Sequence, residues 1–176
     1  TVQTYTTQWT GDGNLKIWDE NNFGDWNNCI GAATDGDNAA SGKLVTSNAG
    51  AIVCPEKGAF YTLKVDFEAM SYTWTKLENQ TPKEFEKIGL IGGFNNWDGD
   101  ENMIATAPHN WTVEVTFAAD TEVKFRANGA WDDNWGTDVN VAEQYYGTGI
   151  KNNQNNIKVP AGTYNVFFND ITGEFV

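Results

Sequence analysis

The residues with the clearest capacity for chemistry lie between Val123 and Gly136, where the chain reads Val-Lys-Phe-Arg-Ala-Asn-Gly-Ala-Trp-Asp-Asp-Asn-Trp-Gly. Arg126 offers a planar fork of donors that can meet two adjacent hydroxyls, and Asn128 can both donate and accept. Trp131 and Trp135 are large rings set among amides and carboxylates. A ring in such a loop either folds back onto a core or serves as a platform for something flat and partly apolar. Trp97, after Gly-Gly-Phe-Asn-Asn, adds a third ring, and Lys151, in a later Gly/Asn-rich stretch, adds a donor. Rings for C–H faces and fixed donors and acceptors for vicinal hydroxyls are what a sugar chain requires. One ring contributes on the order of 1 kcal/mol beyond area burial. Two rings at an angle select a curved chain. A structural role stands beside each of these: Trp97 and Trp135 can equally cap a core, and Arg126 can pair with an acid such as Asp133. Trp131, at the loop tip, is expected to be exposed.

Other chemistries find little to build on. Asp132 and Asp133 are adjacent near a strand end and point apart, so they cannot flank one glycosidic bond as a catalytic pair; no catalytic residue is expected. Asp98-Gly-Asp-Glu101 and Asp35-Gly-Asp37 are oxygen-rich but do not follow the twelve-residue calcium-loop pattern, and read as solvated turns. A single histidine, His109, and two cysteines, Cys29 and Cys54, are too few for a zinc site or a His-based triad, and no metal or cofactor is expected. Two thiols permit one bridge, which the sequence leaves open. A net charge of −13 disfavours nucleic acid and anionic membrane surfaces as partners. No apolar run is long enough to span a bilayer, and Thr1 is not an initiator Met, so a mature, trimmed or truncated chain is expected.

The elements that must position these residues are strands. Val123 and Phe125 alternate with Lys124 and Arg126, and Trp111–Phe117 alternates cleanly. Gly, Asn and Asp punctuate short apolar runs, and no helical period is sustained. The strand-then-aromatic-loop pattern occurs twice. Leu15-Lys-Ile-Trp18 leads into Phe23-Gly-Asp-Trp26, much as Val123-Lys-Phe-Arg126 leads into Trp131 and Trp135. Downstream, Ile52-Val-Cys-Pro55 matches Ile157-Lys-Val-Pro160, and Tyr61, Leu63 and Val65 match Tyr164, Val166 and Phe168. The chain therefore holds two copies of one module at a period of about one hundred residues. The copies are expected at 1–79 and 88–176, joined by a polar linker at 80–87 that contains Pro82. Thr1–Thr7 lies on Thr112–Ala118, which leaves nothing upstream to match Ile88–Trp97. The first copy is thus expected to lack one or two N-terminal strands. The fold class is all-β, in tandem immunoglobulin-like β-sandwich modules.

Four segments resemble a known family: Ile88-Gly-Leu-Ile-Gly-Gly-Phe-Asn-Asn-Trp97, Val123–Asn128, Trp131–Gly136 and Val159-Pro-Ala-Gly-Thr-Tyr164. Their order and spacing resemble the SusE/SusF outer-membrane starch-binding proteins of Bacteroidetes, over all of the second module and most of the first. The resemblance implies non-catalytic surface lipoproteins of polysaccharide-utilisation loci, facing outward from the outer membrane. It further implies that they bind starch beside a SusC/SusD-like transporter complex. Membrane contact would be through a lipid anchor that this chain does not carry. It also implies binding modules with two aromatic platforms plus Arg or Lys and an amide. Module one has Trp18 in place of Arg126 and Phe23 in place of Trp131, and is expected to bind more weakly or not at all. Two other readings stand beside it. One is a structural or adaptor subunit of the uptake complex without sugar binding. The other is an accessory carbohydrate-binding module of a glycosidase.

Overall fold

The computed structural model describes residues 1–11, 14–78 and 81–176. Part of the turn expected at Gly11–Asn14 (Asp12, Gly13) and the expected module boundary (Asn79, Gln80) lie outside them. The chain forms two compact units, Thr1–Gln80 and Thr81–Val176. No helix among the described residues is long and apolar enough to cross a membrane.

In the first unit, strands β1 (Val2–Gln8), β2 (Asn14–Leu15), β3 (Gly31–Ala32), β4 (Ser41–Val45), β5 (Ile52–Val53), β6 (Phe60–Asp66) and β7 (Ser71–Lys76) follow in sequence. One sheet runs β1-β6-β7-β4-β3, and β2 pairs with β5 as a separate ladder. The alternation read in β6 is that of a half-buried strand: Tyr61, Leu63 and Val65 are buried and Lys64 is exposed. Trp9, Tyr61 and Trp74 meet edge-to-face in the core, and the Trp9 indole N–H donates to the Tyr61 carbonyl at 2.9 Å. Cys29 and Cys54 are buried free thiols, and burial pushes the Cys54 thiol up.

The second unit comprises β8 (Ile88–Gly92), β9 (Glu101–Asn102), β10 (Ile104–Ala107), β11 (Asn110–Phe117), β12 (Thr121–Ala127), β13 (Asn134–Gly136), β14 (Gly147–Thr148), β15 (Ile150–Lys151), β16 (Ile157–Val159), β17 (Gly162–Asn169) and β18 (Glu174–Phe175). One sheet runs β10-β11-β17-β18-β14; the other runs β15-β13-β12-β8-β9, with β16 also on β12. The two sheets face each other across a single core. Phe125 of β12 stacks on Phe168 of β17 at 4.2 Å with an interplanar angle of 7°. On β11 the core face is Trp111, Val113, Val115 and Phe117, as its alternation requires.

The repeat is visible in register as well as in sequence. β2 meets β5 through Leu15↔Ile52, and β12 meets β16 through Val123↔Ile157, the residues matched between copies. The ladders β1-β6-β7 and β11-β17-β18 share one antiparallel order. Tandem β-sandwich modules are the architecture of the chain.

Residues 81–87 pack onto the second unit. Glu84 meets His109, whose other ring nitrogen meets buried Asp170, and the Trp111 indole also donates to Asp170. Phe85 lies edge-to-face on Trp135 at 5.6 Å. Because Phe125 touches both Phe168 and Phe175 of the opposite sheet, Phe125→Ala leaves a cavity at the centre of the sandwich. It is expected to cost about 3–5 kcal/mol in chemical denaturation of the chain.

Candidate functional site

The site begins with β12, whose outer face departs from simple alternation. Val123, Phe125 and Ala127 point into the core, yet Lys124 and Arg126 are buried as well. A buried ammonium or guanidinium is costly without partners, so each recruits a loop. The Lys124 ammonium donates to the carbonyls of Asn153 and Asn155, the latter at 3.1 Å, and pulls the 152–156 loop across the strand. Burial depresses its pKa. Gly136 lets the loop pass, since a Cβ there would sit 2.1 Å from the Asn155 carbonyl oxygen.

Arg126 Nε donates to Asp100 Oδ1 at 2.6 Å, and its guanidinium lies 4.8 Å from the centre of the Trp131 ring. Asp100 reaches it because residue 89 is glycine: a Cβ at Gly89 would lie 2.5 Å from the Asp100 Cβ. Arg126 therefore braces Trp131 from beneath. The acid that holds it is Asp100, not Asp133.

Trp97 comes from a different segment. β8 ends in a 3-10 turn at Gly93–Asn95, closed by Asn95 Oδ1 accepting from the Gly92 N–H at 3.0 Å. Asn96 and Trp97 both take φ of 57°. A left-handed tryptophan is strained by about 1–3 kcal/mol and persists only where its surroundings over-determine it. Its effect is to set the Trp97 ring 6.2 Å from that of Trp131, tilted by 39°. The two rings are 37% and 47% exposed. With Lys124, Asn134, Asn152, Asn153, Gln154 and Asn156 they line a cleft of about 450 Å³. Asn134 donates to Asn152 Oδ1 from its backbone N–H and from Nδ2, the Asn152 N–H donates back to the Asn134 carbonyl at 2.7 Å, and Asn134 Nδ2 also donates to the Trp131 carbonyl at 3.0 Å.

The structure brings together Trp97, Trp131 and Arg126. It does not bring Trp135, Asn128 or Lys151 to the cleft. Trp135 is 3% exposed and packs on Phe85 and Phe168, so no ligand can stack on it. Its place is the core, because β13 turns the ring inward. Asn128, at φ 55°, accepts from the Glu86 and Lys87 N–H groups through Oδ1 and anchors the 81–87 segment. Lys151 pairs with Asp133 at 2.6 Å and lies over the Trp135 ring. Sequence reading missed the 152–156 amides, whose signal was the run Asn-Asn-Gln-Asn-Asn itself. No cluster of metal-ligating side chains occurs among the described residues.

Lys151 and Lys83 together hold the Asp133 carboxyl below its usual range. A depressed folded-state pKa gives stability that is present above the unfolded value of about 3.9 and lost as pH falls through the folded value. Asp133→Asn is expected to destabilise the chain near neutral pH, with the difference from the parent shrinking below about pH 4 in pH-dependent urea melts.

Sequence matches to known families cover both units. Residues 1–76 match a family described as SusF, first starch specific CBM, and residues 87–175 match SusF/SusE starch specific CBMs. Outer membrane protein SusF of Bacteroides thetaiotaomicron is 30% identical over 151 residues, covering 81% of this chain and 30% of its own length. The chain thus spans about a third of that relative. The crystal structure of SusF from the same organism aligns with 99% of this chain and 41% of its own, at 21% identity and a TM-score of 0.43. The chain belongs to the SusF/SusE family of starch-specific carbohydrate-binding modules.

Proposed function

We propose that this chain is a non-catalytic glycan-binding part of a Sus-like uptake system, and that its ligand is starch or a related α-glucan. The observation that carries the reading is the exposed, tilted pair Trp97–Trp131 above an amide-lined cleft. Two rings at 39° present a bent surface, which suits the curvature of an α-linked chain better than the flat face of a β-linked one. The cleft amides supply donors and acceptors for the hydroxyl rim. Arg126 acts through Trp131, fixing its ring. In this reading residues 1–79 and 88–176 are two modules of one binding protein. The relative's name, an outer membrane protein, supports placement at that membrane, and capture of an external glycan calls for its outward face. Assembly with a SusC/SusD-like transporter is the corresponding partner, testable by co-purification.

The first unit has its own aromatic surface. Phe23 and Trp26 are 83% and 69% exposed, and Trp18 lies edge-on against both at 5.6 and 4.9 Å. Asp19 and Asp25 cap the two turns that carry them. This favours a second sugar-binding face in the unit expected to be the weaker copy. Trp26→Ala in a chain already lacking Trp131 is expected to remove residual retardation on amylopectin gels.

Affinity electrophoresis and calorimetry with amylopectin, pullulan and dextran test the main reading. Binding to amylopectin is expected; failure with every glycan would refute it. Trp131→Ala should weaken binding at least about tenfold, a loss of roughly 1.4 kcal/mol. Trp97→Gly should weaken it similarly while moving Tm by less than about 4 °C, because relief of the left-handed strain offsets the lost ring contact. Unchanged affinity in both variants would make the ring pair structural.

A further inference from the structure

Trp97 does not end the surface available to a sugar chain. Its ring also lines a second, larger hollow of about 880 Å³ on the same unit, bounded by Phe94, Thr121, Glu122, Asn140 and Lys158 among others. Two residues link the walls of the hollows. Trp97 lines both. Asn156, on the wall of the first, donates to Glu122 Oε2, on the wall of the second, at 3.0 Å.

The second hollow has the chemistry of a neutral, hydroxylated ligand. Lys158 Nζ is steadied by Asp138 Oδ1 at 2.9 Å and is the one lysine or arginine among the described residues lining the hollow; Glu122 is its cross-strand neighbour, and Asp120 adds a second carboxylate to the wall. With a net charge of −13 on the chain, an anionic ligand is disfavoured there. Asp120 and Asn140 are pre-set by bonds to the Ala161 and Ala142 N–H groups at 2.9 and 3.1 Å, so their remaining acceptors and donors are already oriented. Phe94 and Pro160 supply apolar wall.

We propose that the two hollows are one continuous groove, in which an α-glucan seated on Trp97 and Trp131 continues past Trp97 across Thr121 and Lys158. The inference rests on the α-glucan reading above and adds the path of the longer chain. It makes this unit a reader of chain length, with short oligosaccharides filling only the aromatic cleft.

Calorimetry with maltotriose and maltoheptaose, on the intact chain and on a Thr121→Ala/Lys158→Ala variant, tests it. Neither substituted residue lines the aromatic cleft. The parent should bind maltoheptaose at least about tenfold tighter than maltotriose, and the variant should bring that ratio to about threefold or less with maltotriose affinity unchanged. An equal Tm for parent and variant confirms that the fold is kept. A length ratio that is the same in both proteins overturns the groove while leaving the aromatic cleft standing. An equal loss for both sugars also overturns it, by placing Thr121 and Lys158 in the first cleft. Absence of binding by the parent to either sugar defeats the α-glucan reading and the groove together.

Discussion

Two buried cations on the outer face of one strand set the terms for the second unit. β12 supplies the core with Val123 and Phe125, and between them it carries Lys124 and, one step on, Arg126. Charges removed from water must be met by fixed partners. Lys124 is met by the carbonyls of Asn153 and Asn155, and the loop it captures becomes one wall of the cleft. Arg126 is met by Asp100 and covered by Trp131, which becomes the floor. The same residues that neutralise β12 thus build the surface on which a ligand can rest. The glycines that permit it, Gly89 and Gly136, are required by close approach.

The platform itself runs against what stability alone would choose. Trp97 sits in the left-handed region, where glycine or asparagine is at ease, and both it and Trp131 leave large apolar area in water. Neither feature helps the sandwich, whose core closes through Phe125, Phe168 and Trp135. In the proposed reading, strain at Trp97 and exposure of both rings are the cost of a binding surface held open by its scaffold.

Comparison of the two units separates what belongs to the module from what belongs to the site. Lys16 of the first unit, the counterpart of Lys124, donates to the Ala49 carbonyl just before β5, as Lys124 does before β16. That lysine is a fastening of the module. Two residues on, the copies diverge: Trp18 braces Phe23 and Trp26 by ring edges, where Arg126 braces Trp131 with its guanidinium. The position keeps the task of supporting exposed aromatics and changes the chemistry used. No strand among the described residues of the first unit pairs with β2 as β8 pairs with β12.

What the sequence determined by itself was the β character, the repeat and the aromatic loop. These follow from local patterns: alternation along Trp111–Phe117 and β12, Gly/Asn punctuation, and matched segments at a nearly constant spacing. It also singled out Trp97, Arg126, Asn128, Trp131, Trp135 and Lys151 as candidates. Only the tertiary structure decided which of them lie at the cleft. Trp131 and Trp135 are four residues apart in one polar stretch, yet one ring faces water and the other, on β13, packs on Phe85 and Phe168. Asn128 and Lys151 carry suitable chemistry but spend it on the 81–87 segment and on Asp133. The reason is that period-two alternation records which side of a strand a residue occupies, and not what comes to cover that side. On β12 the cover arrives from far along the chain, Asn153 at Lys124 and Asp100 at Arg126. Which rings remain exposed is settled only when those distant segments close.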